Sequence, residues 1–293
     1  MENKIFDADF FNKLNTLKLS INMRLSQGMG GGRKSNAKGS SVEFSDFREY
    51  ILGDDIRRID WNAYGRMDKL FIKQFMEEKE AVFNIFIDTS KSMEFGTEKK
   101  SVRALQIAGA LSYIVLNNLD RVYITKVKED GLTKGKGLTG RNSYKKIVND
   151  LESIEFDGKT KLSKAIKSRD IGNRGISIII SDFLDPEGIE DAIKYLSYKK
   201  QQIILVQVLS REEIDIDVEG TVNILDMETG EEMKVTLTKN VLEGYRKSLE
   251  QLKDSLGKLS RKYHMTYLST VTDEPFEKVL FEGFKGTGLL TSR

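Results

Sequence analysis

The chain has 293 residues, 47 Lys plus Arg against 45 Asp plus Glu, a formal charge of +2 and a hydrophobic fraction of 39%. That size and composition describe an ordinary globular protein of one large domain or two modest ones, and the balanced charge offers no global field to recruit nucleic acid or an anionic membrane. The absence of Cys and the presence of a single His, His264, exclude disulfides, thiolate catalysis, Cys-based zinc or iron–sulfur centres and His-rich zinc sites.

The N-terminal stretch MENKIFDADFFNKLNTLKLS mixes charged with apolar residues and lacks the apolar core of a signal peptide. No run approaches the roughly 18 apolar residues of a membrane span, so the expected location is cytoplasmic. Phe10, Leu14, Leu17, Ile21 and Leu25 keep three- and four-residue spacing and predict a helix from Phe6 to about Ser26. The Gly-, Ser- and Lys-rich stretch that follows reads as a solvated loop. Its segment GMGGGRKS, Gly28 to Ser35, nearly spells a Walker A loop, but Arg33 stands where Gly is required and a helix precedes it instead of a strand. This argues against nucleotide binding.

The segment EFSDFREYILGDDIRRIDWNAYGRMDKLFIKQF mixes aromatics with closely spaced acids and arginines. It predicts a salt-bridged module in which Asp54, Asp55 and Asp60 pair with Arg48, Arg57, Arg58 or Arg66. Two roles are open to the block that also contains Glu43, Asp46, Tyr50 and Trp61: a structural ion network, or a docking surface. LFIKQF and AVFNIFID read as two strands, possible partners in a hairpin. Residues 1–79 are thus expected to form an N-terminal extension, and residues 80–293 an α/β domain.

From Val82 apolar strands alternate with helices. VFNIFID, RVYITKV, GISIIIS, QQIILVQVL and MTYLSTV read as strands; KSVRALQIAGALSYIVLNNL, SYKKIVNDLESI, KLSKAIKSR and PEGIEDAIKYLSYK read as helices between them. Continuous apolar strands separated by helices predict a doubly wound, mostly parallel sheet covered on both faces. GLTKGKGLTG reads as a turn-rich connection. A β-hairpin is expected as an insertion near 221–237. It is followed by a helix from about Lys239 to Tyr263 carrying Leu242, Tyr245, Leu249, Leu252, Leu256 and Leu259 on one stripe, and by a last helix in EPFEKVLFEGF.

Ligands of open α/β sheets gather at the carboxyl ends of the strands. Asp88, Ser90 and Ser92 lie just past the first strand, Thr160 lies at the start of a helix, and Asp182 ends ISIIISD. Two carboxylates and three hydroxyls form an all-oxygen set suited to a hard divalent cation, Mg²⁺ first, with Mn²⁺ or Ca²⁺ as alternatives. Any one of these residues alone reads equally well as a helix cap or a turn residue.

The ordered set DTSKS, Thr160 and Asp182 resembles the metal-ion-dependent adhesion site of von Willebrand factor A domains, whose pattern is D-x-S-x-S, then Thr, then Asp. Together with the block GSSVEFSDFREYILGDDIRRIDW and the run into DTSKSM, the chain is similar over nearly its whole length to the bacterial domain-of-unknown-function 58 family. That resemblance implies a von Willebrand factor A-like fold, a non-enzymatic protein-binding role and a partnership with a MoxR-type AAA+ ATPase, as an adaptor or co-chaperone. Many members carry membrane helices ahead of the block; this chain is expected to be a short soluble form.

The enzymatic alternative is a metal-dependent, phosphatase-like hydrolase using Asp88 as nucleophile. That chemistry needs a second Asp two residues on, where this chain has Ser90. A phosphorylated receiver domain would need an acidic pair that NIFID does not supply. Ser–His hydrolysis lacks a G-x-S-x-G elbow.

Overall fold

The computed structural model describes residues 5–23, 43–76, 80–129, 131–184, 188–216, 220–225, 227, 231–284 and 290–292. The chain divides into two compact units, residues 1–25 with 81–293, and residues 26–80. The near-Walker stretch Gly28–Ser35 lies outside the described residues.

Helix α1 (Ala8–Ser20) starts where the Asp7 carboxylate accepts from the Phe10 amide at 2.8 Å. Phe6, Phe10 and Leu14 recur every fourth residue and are buried in the core of the larger unit. This part of the 1–79 segment thus packs with the α/β unit, because Phe6, Phe10 and Leu14 are covered by its core. The helix is also shorter than its periodicity predicts. Strand β1 (Ile21–Met23) takes over and pairs antiparallel with the C-terminal Leu290–Ser292.

In the smaller unit, β2 (Glu43–Glu49) and β3 (Phe71–Met76) pair antiparallel around a bulge between Phe44 and Asp46. Helix α2 (Trp61–Met67) lies between them in sequence. The expected hairpin between LFIKQF and AVFNIFID does not form. The second segment is apolar on both faces and takes a parallel neighbour on each edge, as a central strand does.

That segment is β4 (Val82–Asp88). It is followed by α3 (Lys100–Asn117), β5 (Arg121–Lys128), β6 (Gly131–Lys134), α4 (Tyr144–Glu152), α5 (Leu162–Lys167), β7 (Gly175–Ser181), α6 (Glu190–Tyr198), β8 (Gln201–Leu209) and the short α7 (Arg211–Ile214). An antiparallel pair, β9 (Gly220–Leu225) with β10 (Glu232–Leu237), matches the insertion expected near 221–237. Helix α8 (Lys239–Lys262), β11 (Thr266–Val271) and α9 (Phe276–Lys278) complete the unit, the last running into a π turn at Val279–Gly283.

The main sheet has six strands in the order β11-β8-β7-β4-β5-β6, parallel except for the edge pair β5–β6. This is the doubly wound α/β class that the alternation predicts. The edge strand β6 replaces part of the connection expected in GLTKGKGLTG, whose Gly and Lys content hides a strand partnered on one side only. Alternate residues of the central strands point to opposite faces. Ile85, Ile87, Ile178 and Ile180 join α1, α3, α4 and α9 in one core, while Phe86, Ile179 and Leu205 join α5, α6 and α8 in the other. Gly109 in α3 lets the first core close: a Cβ there would lie 2.4 Å from a Phe6 ring carbon.

Candidate functional site at the carboxyl edge of β4 and β7

From β4 the chain builds outward to β5 and β6, then crosses to β7 on the other flank of β4. The crevice at such a reversal, beyond the carboxyl ends of the strands, is where doubly wound folds bind ligands. Asp88 ends β4, and Ser181 ends β7 immediately before Asp182.

Two loops are stapled across this edge. The Lys91 amide donates to Gly158 O at 2.9 Å, and the Asp157 amide donates to Thr89 O at 3.0 Å. The Thr89 hydroxyl donates to Val127 O at 2.7 Å, tying the same loop to β5. Gly158 has φ +70°, a conformation that favours glycine, and the turn brings Thr160 back over Asp88.

The sequence-predicted set converges. Asp88 Oδ1 accepts from the Thr160 hydroxyl at 2.8 Å and from the Ser90 amide at 3.0 Å. The Ser90 and Ser92 hydroxyls lie 2.9 Å apart, and Ser92 donates to Asp182 Oδ2 at 3.0 Å. Asp88, Ser90, Thr160 and Asp182 are buried, and Ser92 is half-buried. Burial, then the neighbouring Asp182 charge, push the Asp88 carboxyl above the ordinary carboxylate range.

Four further residues border the cluster. The Ser181 hydroxyl donates to Asp88 Oδ2 at 2.6 Å and accepts from the Phe183 amide at 3.0 Å. Lys100, fully buried, places its ammonium 2.7 Å from Asp182 Oδ2 and 2.5 Å from Glu213 Oε1. Burial opposes that charge, but Asp182 and Glu213 outweigh it and hold the ammonium above the ordinary lysine value. Tyr245 on α8 is pushed up to about 12 by burial and by the charges of Glu213 and Asp182. The available signals were the hydroxyl of Ser181 closing an apolar strand and, for Glu213, its place at the far end of the capping box begun by Ser210. Lys100, the second of two lysines opening a helix, carried no such signal.

The donor set fits a hard cation. It contains two carboxylates and three hydroxyls, and the Asp88 carboxyl is raised first by burial and then by the Asp182 charge, both of which a divalent ion would offset. Among the described residues no three His, Cys, Asp or Glu side chains group as metal ligands; a site of this kind relies on hydroxyls and solvent for the rest of its shell.

The Glu43–Arg66 block forms most of the described part of the smaller unit. Glu43 and Asp46 lie in β2, and the Tyr50 amide donates to Leu70 O at 2.8 Å. Arg48 pairs with Asp54 at 2.8 Å, as expected. Asp55 and Asp60 cap helical turns, accepting from the Arg57 amide at 3.0 Å and the Asn62 amide at 2.9 Å. A carboxylate at an N-cap satisfies amides that have no intrahelical partner, and among the described residues Arg57, Arg58 and Arg66 make no ion pair. Ile51, Leu52, Ile56, Trp61 and Met67 are exposed.

A doubly wound α/β domain with an oxygen-lined crevice at its strand reversal is the class that fold and site define. The model of the family "Protein of unknown function DUF58" matches residues 46–254, and the chain belongs to that family. Among relatives, an uncharacterized protein of Mycobacterium bovis, Mb1516, is 25% identical over 224 residues, covering 74% of this chain and 70% of its own. Similar solved structures include a conserved hypothetical protein, BatB, from Bacteroides thetaiotaomicron, at 19% identity and TM-score 0.46, covering 70% of this chain and 98% of that one. The VWA domain of SpRpn10 aligns at 12% identity and TM-score 0.38, covering 69% of this chain and 94% of that one. Among the described residues no helix is long and apolar enough to cross a membrane.

Proposed function

We propose that this protein is a metal-dependent protein-binding module that recognises a partner carboxylate, and that its partner is a MoxR-type AAA+ ATPase for which it acts as adaptor or co-chaperone. One observation carries the reading: Asp88, Ser90, Ser92, Thr160 and Asp182, drawn from three separate segments, share one hydrogen-bonded cluster at the strand reversal. Ser90, Ser92 and Thr160 would hold a divalent ion, Mg²⁺ first, with Asp88 and Asp182 balancing its charge. When bound, the ion supplies an open electrophilic position for an Asp or Glu side chain of the partner.

The chain's own groups favour adhesion over turnover. Both Asp88 oxygens accept hydrogen bonds from fixed neighbours, Thr160 and Ser181, which leaves the carboxylate poorly placed as a nucleophile. The position that would carry a general acid or base in the phosphatase-like alternative is Ser90. The exposed apolar residues of the Glu43–Arg66 block offer a second contact for the same partner.

The test is binding of the purified chain to a MoxR-type ATPase in Mg²⁺, in chelator, and with Ser90→Ala or Thr160→Ala in Mg²⁺. Binding confined to the wild type in Mg²⁺ is expected. Equal affinity in all four conditions would overturn metal-bridged recognition and leave the Glu43–Arg66 block as the docking surface.

A further inference from the structure

Lys100 is the first residue of α3 and is fully buried. An ammonium leaves water only where fixed anions replace its hydration. Here those anions are Asp182 Oδ2 at 2.7 Å and Glu213 Oε1 at 2.5 Å. Glu213 is itself held in place, because its other oxygen accepts from the Ser210 amide at 2.8 Å and closes the capping box of α7. Asp182 Oδ2 is the oxygen that also accepts from Ser92. Among the described residues the ammonium hydrogen-bonds these two carboxylates and none of the hydroxyls of Ser90, Ser92 or Thr160. It shares Asp182 Oδ2 with the Ser92 hydroxyl.

The charges then decide what Lys100 does. Asp88 and Asp182 are buried and Glu213 is partly buried; with all three ionised, Lys100 reduces their total to two negative charges, the complement of one divalent ion. Without Lys100 the excess would be three, and Asp182 and Glu213 would face each other with no cation between them.

We propose that the Lys100 ammonium is a tethered counter-cation of the site. It shares Asp182 with the divalent ion, keeps the acidic cluster folded when that ion is absent, and repels the ion enough to make its binding weak and reversible. The inference rests on the reading of this crevice as a cation site.

The experiment is titration of the full chain with Mn²⁺ by calorimetry, alongside thermal unfolding in chelator and in Mn²⁺, for the wild type, Lys100→Met and Glu213→Gln. Lys100→Met should bind Mn²⁺ at least about tenfold more tightly than the wild type. Its unfolding midpoint should fall in chelator and recover with Mn²⁺, whereas that of the wild type should depend little on the ion. Glu213→Gln removes a negative charge while keeping Lys100, and should bind about tenfold more weakly. If the wild type binds Mn²⁺ and Lys100→Met binds it equally or less tightly, the counter-cation role is overturned and the cation site stands. If only Lys100→Met binds, the role stands and the cation-site reading of the native chain fails; if neither binds, both fail. Should Lys100→Met not fold even in Mn²⁺, Glu213→Gln decides: weaker binding supports the role, and unchanged binding overturns it.

Discussion

Ser181 and Asp88, the last residues of the adjacent parallel strands β7 and β4, are joined by a hydroxyl-to-carboxylate bond of 2.6 Å in a buried environment. Removing the donor would leave a carboxylate oxygen buried without its partner, and a loss of this kind costs about 1–3 kcal/mol. Ser181→Ala is therefore expected to lower unfolding free energy by that amount in chelator, measured by urea denaturation. An unchanged midpoint would mean that solvent reaches Asp88 more freely than its burial indicates.

Asp88→Asn separates ion binding from folding. Asp88 ionises against burial and against Asp182, so replacing its charge relieves a repulsion that the metal-free fold otherwise contains. The variant should remain folded in chelator, with a thermal midpoint near or above that of the wild type, while divalent affinity drops at least about tenfold. Unfolding of the variant in chelator, with no divalent ion bound by the wild type in a titration, would mark Asp88 as a purely structural cap.

Gly109→Ala is expected to destabilise, against helix propensity. Alanine in a helix interior gains up to roughly 1 kcal/mol over glycine, but the added Cβ would meet Phe6 Cε1 at 2.4 Å. Overpacking of this severity costs about 1–3 kcal/mol. A lower thermal midpoint for Gly109→Ala, relieved by adding Phe6→Leu, would confirm the contact; a higher midpoint would show that α1 yields freely.

Glu212 gives a pH dependence with a definite sign. The Thr97 hydroxyl and then its amide, the latter at 2.9 Å, hold this carboxyl down to about 2 from an ordinary value of 4.5. The folded form is the stronger acid, so its contribution is complete above 4.5 and disappears as pH falls through about 2. Glu212 is partly exposed and solvent weakens the effect. Glu212→Gln should show a shallower fall in thermal midpoint across that interval than the wild type; identical profiles would remove Thr97 as its partner in solution.

The central strands were legible because burial on both faces demands unbroken runs such as Ile178–Ile180 and Ile203–Val206, and the D-x-S-x-S spacing identified side chains that do gather. Pairing partners were less legible. Phe71–Met76 and Val82–Asp88 both read as strands, but nothing in either run states that the first pairs with β2 and the second with β5 and β7. The acid-rich block suggested ion pairs, and the caps made by Asp55 and Asp60 were not legible, because charge spacing does not reveal which carboxylates face amides at a helix start. Lys100 was invisible for a related reason: a lysine at the start of a helix is ordinarily solvated, and only the distant Asp182 and Glu213 make it internal.

The two backbone bonds joining Lys91 to Gly158 and Asp157 to Thr89 have a kinetic consequence. They make the Asp88–Ser92 loop and the Thr160 loop one body, braced further by Thr89 on β5. Any opening of the crevice would then proceed by displacement of the Asp182 side, where the chain leaves β7 and where Lys100, Glu213 and Tyr245 converge. Amide protons of Lys91 and Asp157 should exchange slowly and together, as members of one cooperative unit, while that of Leu184, which donates to Asp182 Oδ1 at 3.1 Å, should exchange at its own faster rate.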